Sequence, residues 1–444
     1  MYSSVYGALK LLTEGGRESR RHLEELDRTQ WLVPADLAHE QLLGLQAIVR
    51  HAYEHVPFYR DLYRGLDIHP QDIRTLADFE ALPTISKRDV VEHLEALVQP
   101  ERRSRAQQIM TGASTGEPMR FYVDDSFWRW NVAHENRGRG WHGVREGDKM
   151  AWVWGAHRDM HTGSWRARSR ATIMRHRYLD AFAMDEPSMR RFAYMLQRWR
   201  PPMIRAYASM IHVFAQYLAA NRIEMNRPRL IEVTAEQLKP KQRELVEAVF
   251  GCPVTNVYTA REFATVAYGC EAGRSHINEA TYLELLMNGA VVPAGGMGEV
   301  VITSLHQSLM PLIRYRLDDE AILDTDACPC GRGLPALKEI VGRKNDYIVT
   351  PDGKRVHDGF FAYYFWTKPQ VARYQIHQAD IGRLEIRIVC VEPVDRALLS
   401  SIDTELRDHL GPGIKIEPHV VDSIPLTAAG KHRFIVSELP PPPS

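Results

Sequence analysis

The apolar residues from 31 to 97 recur at helical spacing, with turn signals between the runs. Prolines interrupt the pattern at Pro57, Pro70 and Pro83. Ser86 precedes the last run, where a serine hydroxyl can cap the first free N–H groups of a helix. The pattern predicts a mostly helical leading region over residues 1–105.

Between residues 120 and 340, short β-rich runs alternate with amphipathic stretches. Strand-like runs cover 150–154, 229–233, 254–258 and 299–303, and helical patterns cover 209–221 and 239–250. This alternation is typical of sheets layered with helices. It predicts an α/β fold class, with one large N-terminal domain over residues 1–341.

The last hundred residues carry a separate set of elements. Residues 383–391 alternate charged and apolar side chains like a half-buried strand, 397–410 have helical spacing, and 414–421 form a second strand-like run. These patterns predict a small α+β domain over 347–438, with a domain boundary at 342–346. We expect a disordered tail at 439–444, because consecutive prolines cannot complete helix or sheet hydrogen bonds.

The composition excludes several classes of protein. Basic and acidic residues are equal in number, 56 of each, so no global field favours nucleic acid or a membrane surface. The sequence contains no apolar run of about 18 residues and no signal-like start. Five cysteines are too few, and odd in number, for a disulfide framework. We expect a cytoplasmic protein that binds neither nucleic acid nor membranes.

Residues 111–118 are Thr-Gly-Ala-Ser-Thr-Gly-Glu-Pro, a concentration of small and hydroxyl-bearing residues. Glycines allow the backbone to approach an anion, and the hydroxyls add donors. Glu117, however, places an acid in this loop, and an ordinary polar turn has a similar composition. The segment alone therefore leaves open a phosphate-binding loop and a polar turn.

Four further segments follow the loop along the chain. They are 258–262 (Tyr-Thr-Ala-Arg-Glu), 314–319 (Arg-Tyr-Arg-Leu-Asp-Asp), 342–346 (Gly-Arg-Lys-Asn-Asp) and 425–431 (Pro-Leu-Thr-Ala-Ala-Gly-Lys). In this order and spacing, the five segments resemble the core motifs of the adenylate-forming superfamily of acyl- and aryl-CoA ligases. Within that superfamily they most resemble the phenylacetate-CoA ligase family, from about residue 50 to about residue 435.

The resemblance implies a reaction in two steps. ATP would convert a carboxylic acid into an acyl-adenylate with release of pyrophosphate, and the acyl group would then pass to the thiol of CoA. Trp152, Trp154 and Tyr207 match regions that line the acid pocket in the family, which implies an aryl or arylalkyl acid as substrate. Packing in the core is the alternative interpretation of these aromatic residues.

The resemblance also implies which residues contact ATP. They are Ser114, Thr115, Gly116, Ala235, Glu236, Tyr258, Asp319 and Arg343. The loop would hold the β- and γ-phosphates, Tyr258 would lie on the adenine, and Asp319 would accept hydrogen bonds from the ribose. Glu262 would be catalytic as the ligand of Mg²⁺, whose charge offsets the phosphates.

Lys431 is the implied catalytic cation, since a lysine can stabilise the charge that develops between carboxylate and α-phosphate. Three positions depart from the family pattern. Ala113 replaces a glycine, and Glu117 stands where lysine is usual. The segment 342–346 resembles the hinge about which the mobile C-terminal domain rotates in the superfamily, and Asn345 stands where that hinge usually has aspartate. We expect Glu117 to point away from the phosphates.

A second group of residues is independent of ATP. Cys270, His276, Cys328 and Cys330 make a Cys₃His set, which suits a closed, tetrahedral structural zinc site. The alternative is buried free thiols beside a surface histidine. The close pair Cys328 and Cys330, followed by a glycine, favours zinc.

Two rival functions stay open. One is a related activating enzyme that transfers the acyl group to an amine, a hydroxyl, a sugar or a carrier protein. The other is a non-catalytic binding protein that retains the fold. The arginine-rich stretch 165–177 is a candidate surface for CoA or a carrier-protein arm. The expected partners are thus a small carboxylic acid and CoA, with a carrier protein and a homodimer as further candidates.

Overall fold

The computed structural model describes residues 13–439, except for 112–118, 155–170, 182–183, 237, 344–346, 358–359, 362–363, 366–367, 369, 392–395, 412 and 426–431. Five helices form the leading region. They are α1 (Glu14–Thr29), α2 (Pro34–His55), α3 (Pro57–Gly65), α4 (Leu76–Glu80) and α5 (Lys87–Glu92). The Ser86 backbone N–H donates to Asp89 Oδ2 at 2.7 Å, and the Ser86 hydroxyl caps α5 as predicted. Within residues 13–105, these helices lie where the sequence predicts a helical region.

A two-stranded hairpin follows the leading helices. Strands β1 (Gln107–Met110) and β2 (Arg120–Val123) pair antiparallel, and Met110 lies opposite Arg120. The pairing continues at Thr111, whose N–H donates to Met119 O at 2.9 Å. The hairpin therefore fixes both ends of the loop 112–118, which itself lies outside the described residues.

Twelve strands form the large sheet. In chain order they are β3 (Met150–Trp154), β4 (His176–Asp180), β5 (Met203–Tyr207), β6 (Leu230–Thr234), β7 (Val254–Ala260), β8 (Ala264–Gly269), β9 (Ser275–Ile277), β10 (Thr281–Met287), β11 (Ala290–Val291), β12 (Met297–Ser304), β13 (Tyr315–Leu323) and β14 (Ala336–Arg343). Across the sheet the order is β11-β10-β12-β13-β14-β9-β8-β7-β6-β5-β3-β4. The parallel pairs of this sheet are β4 with β3, β3 with β5, β5 with β6, and β6 with β7. The remaining pairs of the sheet are antiparallel.

Helices cover both faces of the parallel part. These helices are α6 (Asp125–Trp141), α7 (Glu186–Trp199), α8 (Ala208–Ala220) and α9 (Pro240–Phe250). Apolar side chains of α7, α8 and α9 share a core cluster with one face of the strands. On α6, the position of Gly138 lies so close to the Tyr268 ring that a Cβ atom would overlap it. A layered α/β arrangement of this kind is the fold class that the sequence predicts.

The C-terminal part contains a smaller sheet. Strands β17 (Val371–Asp380), β18 (Arg383–Cys390), β19 (Lys415–Val420) and β20 (Ile435–Ser437) lie in the order β19-β18-β17-β20. Helix α10 (Arg396–Leu410) packs into the same core as this sheet. A short hairpin of β15 (Tyr347–Val349) and β16 (Arg355–His357) precedes the sheet in sequence. These elements match the predicted strands and helix closely, while the hinge at 342–346 and the exact domain limits stay predictions. None of the described helices is both long enough and apolar enough to cross a bilayer.

Candidate active site

The carboxyl ends of the parallel strands bring several predicted residues to one edge of the sheet. Trp154 ends β3, Tyr207 ends β5, and Ala235 follows β6. Tyr258 lies near the end of β7. Because parallel strands point the same way, their ends form one crevice, which is where open α/β sheets bind ligands.

Aromatic side chains line one part of this edge. The rings of Trp154 and Tyr207 stack with their centres 4.2 Å apart and an interplanar angle of 29°. Trp152 meets Trp154 edge to face at 5.7 Å, on the same side of β3. The structure therefore brings together the three residues predicted for the acid pocket. Their role as a pocket, rather than as packing alone, stays a prediction.

The turn after β6 is strained and capped. Ala235 has a φ of +71°, which is unfavourable for a residue with a Cβ by about 1 kcal/mol or more. The next residue, Glu236, accepts a hydrogen bond from the backbone N–H of Ser209 at 2.9 Å. Its carboxylate thus caps the N-terminal turn of α8 and links β6 to that helix. Strain of this kind is concentrated at functional sites.

Tyr258 and Asp319 are joined directly. The Tyr258 hydroxyl donates to Asp319 Oδ2 at 2.6 Å, although the two residues lie on strands far apart in sequence. Asp319 in turn lies opposite Arg343 in the β13–β14 pairing. The preceding residue, Asp318, has a φ of +61°. Tyr258, Asp319 and Arg343, which are predicted to contact ATP, therefore lie next to one another on the three strands β7, β13 and β14.

Glu262 lies in the three-residue turn between β7 and β8. It is 8% exposed, and the Tyr315 hydroxyl lies 3.4 Å from its Oε1. The turn ends at Ala264, with a φ of +57°, and Phe263 packs against the Tyr315 ring. A carboxylate held in this way offers the oxygen ligand that Mg²⁺ prefers.

Lys431 and the loop residues Ser114, Thr115 and Gly116 lie outside the described residues, as do Ala113, Glu117 and Asn345.

The residue that follows Lys431, His432, lies within the described part of the chain. His432 Nε2 lies 2.8 Å from the Tyr374 carbonyl oxygen. Burial lowers the pKa of His432, and the Glu236 carboxylate is among the groups that raise it again. The chain next to Lys431 is therefore within electrostatic range of the carboxyl edge.

A buried ion network lies beneath the aromatic residues, and sequence reasoning missed it. Glu232, fully buried in β6, contacts Arg139 at 3.1 Å and Arg205 at 2.9 Å. Glu135 contacts the same two arginines at 3.0 and 2.7 Å. Burial would raise the pKa of Glu135, but the two guanidinium groups outweigh it and lower this pKa to about 2. The sequence could have indicated this network, because Arg205 and Glu232 are charged residues in two strands whose other residues are mostly apolar. The two residues lie opposite each other in the β5–β6 pairing.

The four predicted metal ligands also come together. The ligand atoms of Cys270, His276, Cys328 and Cys330 lie within 4.8 Å of one another. Cys270 Sγ is 3.6 Å from Cys328 Sγ, and Cys330 Sγ is 3.2 Å from His276 Nε2. His276 Nδ1 lies 3.0 Å from the Leu334 carbonyl oxygen, which fixes the ring so that Nε2 faces the thiols. Three sulfurs and one imidazole nitrogen are a donor set that fits a closed tetrahedral zinc site.

The loop that carries Cys328 and Cys330 is packed against the start of the chain. Arg332 lies between the rings of Trp31 and Trp141, at 5.1 and 4.4 Å, and pairs with Glu271 at 3.0 Å. A Cβ at Gly333 would overlap the carbonyl oxygen of Leu32. The cluster therefore lies in a tightly packed region.

Comparisons with known proteins show which chains this one resembles. The model of the CapK C-terminal domain matches residues 348–438. Over 438 residues the chain is 24% identical to Protein CapK of Staphylococcus aureus, covering 95% of this chain and 94% of that protein. It is also 24% identical over 425 residues to a phenylacetate-coenzyme A ligase of Thermus thermophilus, covering 88% and 94%.

A solved structure has the same fold. The 2-hydroxyisobutyryl-CoA ligase in its postadenylation state aligns with a TM-score of 0.74 and 22% identity, over 93% of this chain and 92% of that chain. This likeness, with the mixed sheet and its covering helices, confirms the predicted α/β fold class. The ordered motifs and these long alignments show that the chain is similar to phenylacetate-CoA ligases, as the sequence motifs indicated.

Proposed function

We propose that this protein is an ATP- and Mg²⁺-dependent ligase that converts a carboxylic acid into an acyl-adenylate and then into a CoA thioester. The observation that carries the proposal is the hydrogen bond from Tyr258 to Asp319 at the carboxyl edge of the parallel strands, with Glu262 buried in the turn that follows the same strand β7. An edge of this kind can receive a nucleotide, and the three side chains offer an aromatic face and two carboxylates. The use of ATP and CoA agrees with a cytoplasmic protein.

Each side chain at the edge has a task in this reaction. The Asp319 carboxylate accepts hydrogen bonds from the ribose hydroxyls, and its bond from Tyr258 holds it in place. Ala235 and Glu236 lie beside the adenine. Glu262 would hold Mg²⁺, which supplies positive charge to the phosphates. The loop 112–118, fixed at both ends by the hairpin, would supply N–H and hydroxyl donors.

Lys431 would stabilise the negative charge between the carboxylate and the α-phosphate. Its neighbour His432 lies within the electrostatic range of Glu236, which supports this assignment. We assign 347–438 to a mobile C-terminal domain that turns about 342–346 between the two half-reactions. Such a rotation would move Lys431 away from the site after adenylation and bring the thioester-forming face of the domain to it.

The aromatic edge favours an aryl or arylalkyl acid. Trp154 stacks on the buried Tyr207, and its partly exposed ring offers flat, apolar surface at the same edge of the sheet as Ala235 and Tyr258. A planar ring can stack on such a surface, whereas a long alkyl chain gains less from it.

A second candidate function keeps the adenylation step and changes the acceptor. Its specific support is the match of residues 348–438 to the CapK C-terminal domain, together with the full-length likeness to Protein CapK. In this case an amine, a hydroxyl, a sugar or a carrier-protein thiol would replace CoA.

The Cys₃His cluster would bind structural zinc. All four positions of a tetrahedron are filled by protein atoms, so the metal would take no part in the reaction. Freshly purified protein should contain close to one equivalent of zinc by elemental analysis. Less than about half an equivalent would contradict the proposal.

The function is tested by pyrophosphate exchange with a panel of aryl, arylalkyl and fatty acids. We expect exchange with an aryl or arylalkyl acid, and Lys431→Ala should lower it about 100-fold or more while ATP binding is retained. Lys415→Ala, at an exposed ion pair of the same domain, is the control and should keep full activity.

Each alternative has its own outcome. Exchange without consumption of CoA would favour another acceptor. A lack of exchange with every acid would favour a non-catalytic binding protein. Full activity of Lys431→Ala would remove that residue from the mechanism.

A further inference from the structure

A surface groove of about 370 Å³ lies at the edge of the sheet opposite the candidate active site. It is formed by the end of α7, the turn into β5 and the segment that leads into β6. Both strands begin at the groove and end at the carboxyl edge. Five residues of strand span about 15 Å, so a ligand here could not touch the reacting atoms.

Three arginines surround this groove. Arg200, Arg227 and Arg229 line it, and none of the described residues that line it is acidic. Arg229 donates to the Gly143 carbonyl oxygen at 2.5 Å. Within the described part of the chain, Arg200 and Arg227 have no ion-pair partner. Because the whole chain has equal numbers of acidic and basic residues, this positive charge is local.

The floor of the groove is apolar. Leu196 and Ile204 are each 2% exposed, and Pro201, Pro202 and Met225 complete the lining around them. The volume falls within the range of small-molecule sites, roughly 300–1,000 Å³. A guanidinium group presents two parallel N–H donors that fit phosphate oxygens. Three of them above an apolar floor suit a dianion attached to an apolar body.

We propose that this groove binds a small organic phosphate, at a site separate from the ATP site. The phosphate would lie among the three guanidinium groups and the apolar part of the ligand would lie on Leu196 and Ile204. A phosphomonoester matches three cations better than a carboxylate does, because it carries nearly twice the charge near neutral pH. This assignment does not depend on the proposed ligase activity.

Arg200 allows a clean test. It ends α7 with a φ of +50°, a conformation that favours glycine, so Arg200→Gly removes the guanidinium without straining the backbone. Arg222 gives a matched control, since it follows α8 with a φ of +53° and does not line the groove. Both Arg200→Gly and Arg222→Gly relieve backbone strain, but only Arg200→Gly also removes a cation from the groove. Arg227→Gln is a second groove variant that leaves the helix end unchanged.

The experiment is calorimetric titration of the full-length chain with phenyl phosphate. We expect saturable binding that Arg200→Gly and Arg227→Gln each weaken about tenfold or more, and that Arg222→Gly leaves unchanged. Asp319→Asn, at the candidate active site, should also leave it unchanged. Benzoate and inorganic phosphate should bind at least about tenfold more weakly than phenyl phosphate, since each lacks one half of the ligand.

Several outcomes would overturn the proposal. No saturable binding up to about 10 mM phenyl phosphate would do so, and an acidic protein segment would then be the alternative occupant. Binding that changes in Asp319→Asn but not in Arg200→Gly would assign the probe to the active site. Equal binding of benzoate would assign the groove to carboxylates.

Discussion

The same sheet carries charge in two different ways. In its interior, the carboxylates of Glu135 and Glu232 are each shared by two guanidinium groups at 2.7–3.1 Å. At its carboxyl edge, the Tyr258 hydroxyl orients Asp319, and a backbone N–H orients Glu236. A neutral donor fixes the direction of a carboxylate and leaves its charge in place.

We propose that this difference separates structural charge from functional charge. The interior network cancels within the protein, and removing one member leaves the others buried and unpaired. The edge keeps oriented negative charge where ribose hydroxyls and Mg²⁺ would bind. Substitutions in the interior should therefore lower stability first, and substitutions at the edge should lower activity first.

The largest expected effect is that of Glu232→Gln. The side chain is fully buried between Arg139 and Arg205, so its loss leaves two guanidinium groups with one carboxylate. We expect a decrease in the free energy of unfolding of about 3–5 kcal/mol, measured by denaturant titration. The control, Glu92→Gln at an exposed pair, should change little. An unchanged stability of Glu232→Gln would remove the distinction between interior and edge.

The interior network should also make stability depend on acid. The folded pKa of Glu135 is lowered to about 2, so its contribution is complete above its unfolded value near 4.5 and is lost as the pH falls toward 2. Since its side chain is 17% exposed, we expect a contribution of about 2 kcal/mol.

The measurement compares unfolding of the wild type and Glu135→Gln at several pH values. The difference in their free energies of unfolding should be largest above pH 4.5 and should narrow as the pH falls toward 2. A difference that stays constant over this range would contradict the assigned ionisation. Glu92→Gln again serves as the reference for a surface pair.

At the edge, Asp319→Asn should lower kcat/KM for ATP about 10- to 100-fold, a loss of about 1.5–3 kcal/mol. The amide replaces a charged acceptor of the ribose hydroxyls, while the hydrogen bond from Tyr258 can still form. The melting temperature should stay close to that of the wild type. A fall in stability as large as that of Glu232→Gln would show that the edge is structural as well.

Tyr258→Phe should have the smallest effect. It keeps the ring and removes only the hydroxyl that donates to Asp319 at 2.6 Å. We expect about 1 kcal/mol, seen as a fivefold rise in the KM for ATP with kcat nearly unchanged. A fall in kcat with constant KM would instead connect Tyr258 to the transition state.

The local elements of the fold could be predicted from the sequence. The strand predicted at 150–154 is β3 with the same limits, and the helix predicted at 397–410 is α10 with one residue more. Such elements depend on hydrogen bonds and apolar spacing within a few residues. The pairing of β9 with β14 depends on contacts across about 60 residues, which spacing alone does not determine.

The candidate site was predictable to a similar degree. Motif order indicated Tyr258, Asp319 and Glu262, and cysteine spacing indicated the Cys₃His set. The hydrogen bond between Tyr258 and Asp319 was not predicted, because it depends on the register of distant strands. The helix cap by Glu236 was missed for the same reason.

The contact between Arg332 and Trp31 makes Trp31, just after the first helix, an optical reporter of the loop that carries Cys328 and Cys330. Arg332 also donates a hydrogen bond at 3.1 Å to the Oε1 atom of Gln30, which is 302 positions away in sequence, and the Trp31 indole beside it is 53% exposed. Any loosening of the loop at Cys328 and Cys330 would change the surroundings of this indole. Its fluorescence would therefore follow metal loss, and a Trp31→Phe variant would identify its share of the signal.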